Sequence, residues 1–338
     1  TLPLAPGPAR VVSFADTRPP ALAAARAELP ISGMEQEVME AVAGSDVLLL
    51  AGETGSGKTT QVPQFLLEAG HGCADHPDVA GGVCVTQPRR VAAAAAAARV
   101  AAELGVPLGG LVGYQVRHDR RTAGASTRCK FVTDGILLRE LASDFLLSSY
   151  SAIIVDEAHE RSLNTDLLLG LLSRVVSLRR RLSSAGAPLP DGAARPALAA
   201  RLGGRVRPLK LIIMSATLRL DDFAANPRLF ASPPPVIHVP ARQYPVTIHF
   251  ARRSAGEREY AAAAVAKAAQ IHTTLPPGGI LVFLTGRREV DWAVAKMRRG
   301  HGVAAGREEG AAAAEEGDAH PPPDLAGGDA AEDAAADV

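Results

Sequence analysis

Eight consecutive residues, Gly52-Glu53-Thr54-Gly55-Ser56-Gly57-Lys58-Thr59, put phosphate-binding and metal-binding chemistry side by side. Glycines at this spacing let the backbone fold tightly, with its N–H groups aimed at an anion. Lys58 can reach the outer phosphates of a nucleoside triphosphate, and the Thr59 hydroxyl can hold Mg²⁺. The pattern needs a buried strand before it and a helix after it, so that the phosphates meet the positive end of a helix dipole. Both are present. The apolar run 47–51 leads in, and 59–69, starting with Thr59 and Thr60, reads as a helix stopped by Gly70. A glycine-rich turn would explain the glycines but not the lysine and threonine at fixed offsets.

A second set of reactive residues follows another apolar strand. Ile153-Ile154-Val155 runs straight into Asp156-Glu157-Ala158-His159. A phosphate loop needs a carboxylate on a neighbouring strand to hold its metal, and Asp156 suits that role. Glu157 can orient and deprotonate an attacking water. Thr59, Asp156 and Glu157 thus form the expected Mg²⁺ set, and Lys58, Asp156 and Glu157 the expected catalytic set. Alone, an acid pair at a strand end is only a solvated terminus. Downstream of a phosphate loop it is more than that.

The elements that must position these residues alternate along the chain. Strands are expected at 47–51, 83–87, 130–133, 152–156 and 209–215, and helices at 34–42, 90–104, 135–143 and 165–178. Such alternation predicts an α/β fold, a parallel sheet with helices on both faces and ligands at the carboxyl ends of the strands. One domain is expected over 31–240, broken by an exposed Pro-, Gly-, Ala- and Arg-rich insertion at 182–207. Residues 1–30, rich in Pro and Ala, read as a linker. A second, partial α/β domain is expected over 241–302, with strands at 244–250 and 279–284 and helices at 257–272 and 288–297. Residues 303–338 read as an acidic, disordered tail.

Net charge is zero over 338 residues, but the charge is divided. Residues 303–338 hold ten acidic side chains and one arginine, leaving 35 basic and 26 acidic side chains for the rest. A basic body fits a polyanionic partner. No apolar run reaches the ~18 residues of a membrane span, so no membrane partner is expected. Three cysteines without metal-ligand spacing are consistent with a reducing compartment. The chain opens on Thr1 without a leader pattern, as a fragment would.

Further motifs then fall in order. Residues 52–59, Thr86-Gln87-Pro88-Arg89-Arg90, Thr133-Asp134-Gly135, Asp156-Glu157-Ala158-His159, Ser215-Ala216-Thr217 and Phe283-Leu284-Thr285-Gly286 are similar, in sequence order, to motifs I, Ia, Ib, II, III and IV of the DEAH-box RNA helicases. The resemblance covers about residues 30–300. It implies a RecA-like first domain, part of a second one, and ATP-driven translocation along RNA. It implies ATP contacts from Gly52, Glu53, Thr54, Gly55, Ser56, Gly57, Lys58, Thr59 and Thr60. Coupling of nucleotide state to domain movement falls to His159, Ser215, Ala216 and Thr217. RNA contacts fall to Arg89, Arg90, Thr133, Asp134, Gly135, Thr285 and Gly286. Arg99 aligns with the family arginine that stacks on the ATP base, and an exposed helix arginine is equally a solvated charge. Ser215 and Thr217 taken singly fit simple turn capping, and Arg89-Arg90 a solvated helix start.

Residues 226–230 and 233–237, with 242–247 and 275–283, resemble the nucleolar DEAH helicases of small-ribosomal-subunit assembly more than the splicing members. That resemblance implies pre-rRNA or guide RNA as partner, an activator protein, and a nuclear, nucleolar location. Motif V and the motif VI arginines of the family are not in this sequence, so this chain alone is expected to bind ATP–Mg²⁺ and RNA with little turnover. A non-enzymatic RNA- or pre-ribosome-binding module is the alternative. A metabolic kinase or transporter ATPase shares only the phosphate loop.

Overall fold

The computed structural model describes residues 12–73, 76, 79–122, 124–183, 206–216, 223, 225–240, 246–256 and 259–300. The chain divides into two units, Thr1–Tyr244 and Pro245–Val338.

The first unit is built on one sheet. Its described strands are β1 (Val47–Gly52), β2 (Gly82–Gln87), β3 (Val112–Val116), β4 (Asp119–Arg121), β5 (Cys129–Thr133), β6 (Tyr150–Val155), β7 (Lys210–Ser215) and β8 (Val236–Val239). They lie in the order β4-β3-β5-β2-β6-β7-β1-β8, and only the β3–β4 pair is antiparallel. Central strands such as β6 are buried along their whole length, which is why they read as unbroken apolar runs.

Successive residues of each strand feed opposite layers. Leu48 and Leu50 of β1 pack in one core with Val38, Phe65, Val100 and Leu104. These come from α2 (Glu35–Gly44), α3 (Lys58–Glu68) and α4 (Arg90–Leu104). Leu49 and Ala51 face the other way, in a core with Leu137, Leu168 and Leu172. Those residues belong to α5 (Asp134–Ser143) and α6 (Leu163–Ser183). The fold is therefore α/β and RecA-like.

Register fixes the site. β7 lies between β1 and β6, with Ala51 beside Ser215 and Val155 beside Ile213. β2 lies on the far side of β6, with Thr86 beside Val155. The phosphate loop, Ser215, Asp156 and Gln87 therefore leave the sheet along one edge, at the carboxyl ends of adjacent strands.

Several expectations need correction. Within the segment 1–30 expected as a linker, the described residues 12–30 include a helix, α1 (Pro20–Ala27). Pro20 supplies a preset first turn there, and the alanines favour helix. α6 runs on to Ser183, into the expected insertion, whose residues 184–205 lie outside the described residues. β3, β4 and β8 were not anticipated.

In the second unit the described elements are α7 (Tyr260–Thr274) and α8 (Arg287–Gly300). The strands expected at 244–250 and 279–284 are not formed over the described residues of those spans. Residues 246–250 and 279–284 make no ladder, and without a hydrogen-bonded neighbour an extended apolar segment is not a strand. Phe250 and Phe283 are accordingly exposed. The tail at 303–338 and Thr217 lie outside the described residues.

Candidate active site

The loop after β1 turns through Gly55 and Gly57, with φ of +89° and +93°, backbone conformations that suit glycine. Ser56 is buried, and its Oγ donates to the Glu53 carbonyl at 2.8 Å. The Lys58 ammonium is buried within the loop. It donates to the Gly52 carbonyl at 2.5 Å, to the Glu53 carbonyl at 3.1 Å and to Ser56 Oγ at 3.1 Å. Burial lowers the Lys58 pKa, while the Asp156 and Glu157 carboxylates pull it back up. A polyphosphate would hold this ammonium in its charged form.

Asp156 gathers the other strand ends. Its Oδ2 accepts from Thr59 Oγ1 at 2.5 Å and from Gln87 Nε2 at 2.5 Å, and its Oδ1 accepts from the Glu157 N–H at 2.9 Å. Burial pushes its pKa up to about 6, against the Thr59 hydrogen bond, which favours the ionised form. Glu157 ends the strand in a left-handed conformation, φ +53°. A non-glycine residue held there is strained, and such strain concentrates at functional sites. Its carboxylate is half-buried beside His159.

His159 reaches the neighbouring strand end. Its Nδ1 accepts the Ala216 N–H at 3.2 Å and lies 3.4 Å from Glu157 Oε2. One ring nitrogen cannot accept from Ala216 and donate to Glu157 at once. His159 thus stands between the Glu157 carboxylate and the end of β7.

The donors fit Mg²⁺. The Thr59 hydroxyl meets the Asp156 carboxylate, with Glu157 next in the chain, all oxygen donors, as a hard cation requires. Among the described residues no group of three or more His, Cys, Asp or Glu side chains could hold a metal alone. A cation here would complete its shell with phosphate oxygens and water, which Mg²⁺ does readily.

The remaining sequence-predicted residues divide. Arg89 and Arg90 are exposed at the start of α4, and Arg89 lies 3.5 Å from Glu160. Gln87 pairs in register with Thr133, so Arg89-Arg90 and Thr133-Gly135 share the same edge. Asp134 does not join them at the surface: its side chain is buried and accepts from Thr165 Oγ1 at 2.5 Å. Arg99 is half-exposed on α4 and donates to Glu103 Oε1 at 2.6 Å. Ser215 is buried at the end of β7.

In the second unit the Thr285 N–H and Oγ1 both bond Glu289 Oε2, at 2.9 and 2.6 Å, tying Thr285 and Gly286 to the first turn of α8. Sequence reasoning missed Gln87 as a ligand of Asp156. It also missed Gln61, Gln64 and Glu103, buried polar residues behind the loop. Two glutamines three apart on the inner face of α3 were the available signal.

The profile of the DEAD/DEAH box helicases matches residues 33–223. The chain belongs to the DEAD/DEAH box helicase family. It is 50% identical over 291 residues to the ATP-dependent RNA helicase DEAH13 of Arabidopsis thaliana, covering 84% of this chain and 22% of that protein. It is 53% identical over 275 residues to the probable ATP-dependent RNA helicase DHR1 of Saccharomyces cerevisiae, covering 81% and 20%. It is 49% identical over 282 residues to the probable ATP-dependent RNA helicase DHX37 of Homo sapiens, covering 83% and 22%. This helicase chain therefore spans about a fifth of the length of the curated relatives it matches.

Proposed function

We propose that this chain is the ATP-binding half of an ATP-dependent RNA helicase. The convergence of Thr59, Gln87 and Glu157 on the Asp156 carboxylate carries that reading. It joins the phosphate loop to motifs Ia and II at one point. Residues 52–60 cradle the ATP phosphates, and Lys58 leaves the loop carbonyls to pair with them. Thr59 and Asp156, with Glu157 beside them, hold Mg²⁺, which neutralises charge developing on the transferred phosphoryl group. Glu157 accepts the proton of the attacking water. His159, through the Ala216 N–H, passes the state of Glu157 to motif III, Ser215-Ala216-Thr217.

The opposing arginines of such enzymes supply ~10³–10⁵ in rate. This chain binds ATP–Mg²⁺ and RNA. Arg89, Arg90, Thr133 and Gly135 are the RNA contacts of the first unit, and Thr285 and Gly286 those of the second. These groups suit phosphate and sugar contacts, which carry no sequence code. The resemblance over 226–230 and 233–237 supports a role in small-subunit ribosome assembly, on pre-rRNA or guide RNA in the nucleolus, with an activator protein.

RNA binding by the 338-residue chain, read by fluorescence anisotropy on unrelated single strands, tests this reading. Arg89→Ala with Arg90→Ala should weaken all strands alike, by about tenfold, and flatten the salt dependence. Sequence-selective binding, or indifference to both arginines, would count against it.

A further inference from the structure

Behind the phosphate loop, residues 12–31 cross the back of α3 and the end of α4. The Val12 N–H donates to the Glu68 carbonyl at 3.0 Å, and Thr17 Oγ1 to the Leu104 carbonyl at 2.8 Å. Arg18 is buried. Its Nη1 donates to Gln64 Oε1 at 2.6 Å and its Nη2 to Glu68 Oε1 at 2.8 Å. Arg26 Nε donates to Gln61 Oε1 at 2.9 Å and its Nη2 to Glu68 Oε2 at 2.9 Å. The Arg26 guanidinium also stands 5.4 Å from the centre of the Phe65 ring. One glutamate on α3 thus takes both arginines.

The segment also touches the loop itself. The Ile31 N–H donates to the Ser56 carbonyl at 3.2 Å. A Cβ on Gly57 would stand 2.9 Å from both Leu29 and Ile31, and a Cβ on Gly105, φ +68°, would stand 1.8 Å from the Thr17 carbonyl oxygen. Both glycines leave room for this segment.

The hydrogen bonds continue toward the nucleotide side. Gln61 Nε2 donates to Thr60 Oγ1 at 2.8 Å and to Glu103 Oε2 at 2.8 Å. Gln64 Nε2 donates to the same Glu103 oxygen at 2.7 Å, and Arg99 Nε to Glu103 Oε1 at 2.6 Å. Glu103, buried among them, fixes two glutamines of α3 and one arginine of α4 at once.

We propose that residues 12–31 are a strap that holds the phosphate loop in its binding shape. Arg26 of the strap and Glu103 of α4 are the positioning residues: Arg26 sets Thr60 through Gln61, and Glu103, bonded to the same Gln61, sets Arg99 directly. A cradle of backbone N–H groups binds best when its shape is fixed beforehand. Nucleotide affinity therefore depends on side chains anchored behind α3. The inference rests on the reading of 52–59 as the nucleotide loop.

The test is an equilibrium titration of the whole 338-residue chain with a fluorescent ATP analogue and Mg²⁺, with thermal midpoints on the same samples. Arg26→Lys keeps a charge for Glu68 but loses the planar fork that also serves Gln61. Gly105→Ala pushes the Thr17 backbone off α4. Each should weaken binding by about tenfold, the effect of one lost charge-assisted bond. Tyr150→Phe, which removes a buried bond to Glu140 far from the loop, lowers the midpoint and leaves affinity unchanged. Wild-type affinity in Arg26→Lys and Gly105→Ala overturns the strap. So does a loss that Tyr150→Phe reproduces at equal midpoint. Lys58→Ala separates the two readings: it should weaken binding at least about tenfold, and if it does not, the loop assignment falls and the strap with it.

Discussion

Asp156 and Glu157 are neighbours in sequence with different surroundings, and their environments assign their roles. Asp156 is buried at a strand end and bonded to Thr59 and Gln87, which holds it in place as the proposed ligand role requires. Glu157, half-buried on a left-handed turn, is placed to meet water. In a protein carrying both helicase halves, Glu157→Gln should keep ATP binding and lower turnover by about 10²–10⁴-fold, measured as steady-state ATPase with RNA. Weakened ATP binding with turnover per bound ATP intact would instead make Glu157 a ligand. Most of these residues were legible because phosphate-loop and acid-pair chemistry uses fixed local spacing. Gln87 lies 69 positions from Asp156. No local spacing records a partnership made by strand pairing, nor the burial of Asp134 against Thr165.

At the level of elements, the central strands were legible because a parallel strand covered on both faces is apolar throughout. β4 lies at the sheet edge as exposed Asp119-Arg120-Arg121, and β8 is four residues long after a proline run. Neither pattern separates from loop. α1 was hidden in a composition that also suits a linker. The strands expected in the second unit had the right composition, but ladders depend on neighbours.

Two buried side chains show what holds the first unit together. Arg179 on α6 donates to the carbonyls of Leu146, Leu147, Tyr150, Arg207 and Pro208, joining three segments. Burial lowers its pKa to about 10. Arg179→Met leaves those carbonyls without a donor and should cost about 2–4 kcal/mol in chemical denaturation. A loss under about 0.5 kcal/mol would mean that water replaces the guanidinium.

His71 is buried with its Nδ1 2.8 Å from Ser151 Oγ, and burial drops its pKa to about 3. The unfolded chain takes up this proton below about 6.5 and the folded chain does not, so stability falls as pH drops from 6.5 toward 3. At pH 5 the loss should be about 2 kcal/mol. His71→Gln should remove most of that slope between pH 6.5 and 5, and an unchanged slope would place the titration elsewhere.

For the molecule as a whole, a basic body carrying a phosphate loop and exposed arginines on one sheet edge suits the two polyanions proposed for it, ATP and RNA. The first unit brings the loop, Asp156-Glu157 and the motif III strand to that edge. The phosphate loop, the Asp156 carboxylate and the exposed Arg89-Arg90 pair meet there. Titration of the 338-residue chain with ATP, in Mg²⁺ and in EDTA, beside Lys58→Ala, puts the arrangement to measurement. Saturable binding is predicted, weakened at least about tenfold by EDTA and again by loss of the lysine, since each removes a charge-assisted contact to phosphate. Absence of saturable binding, or binding indifferent to both metal and Lys58, would contradict it.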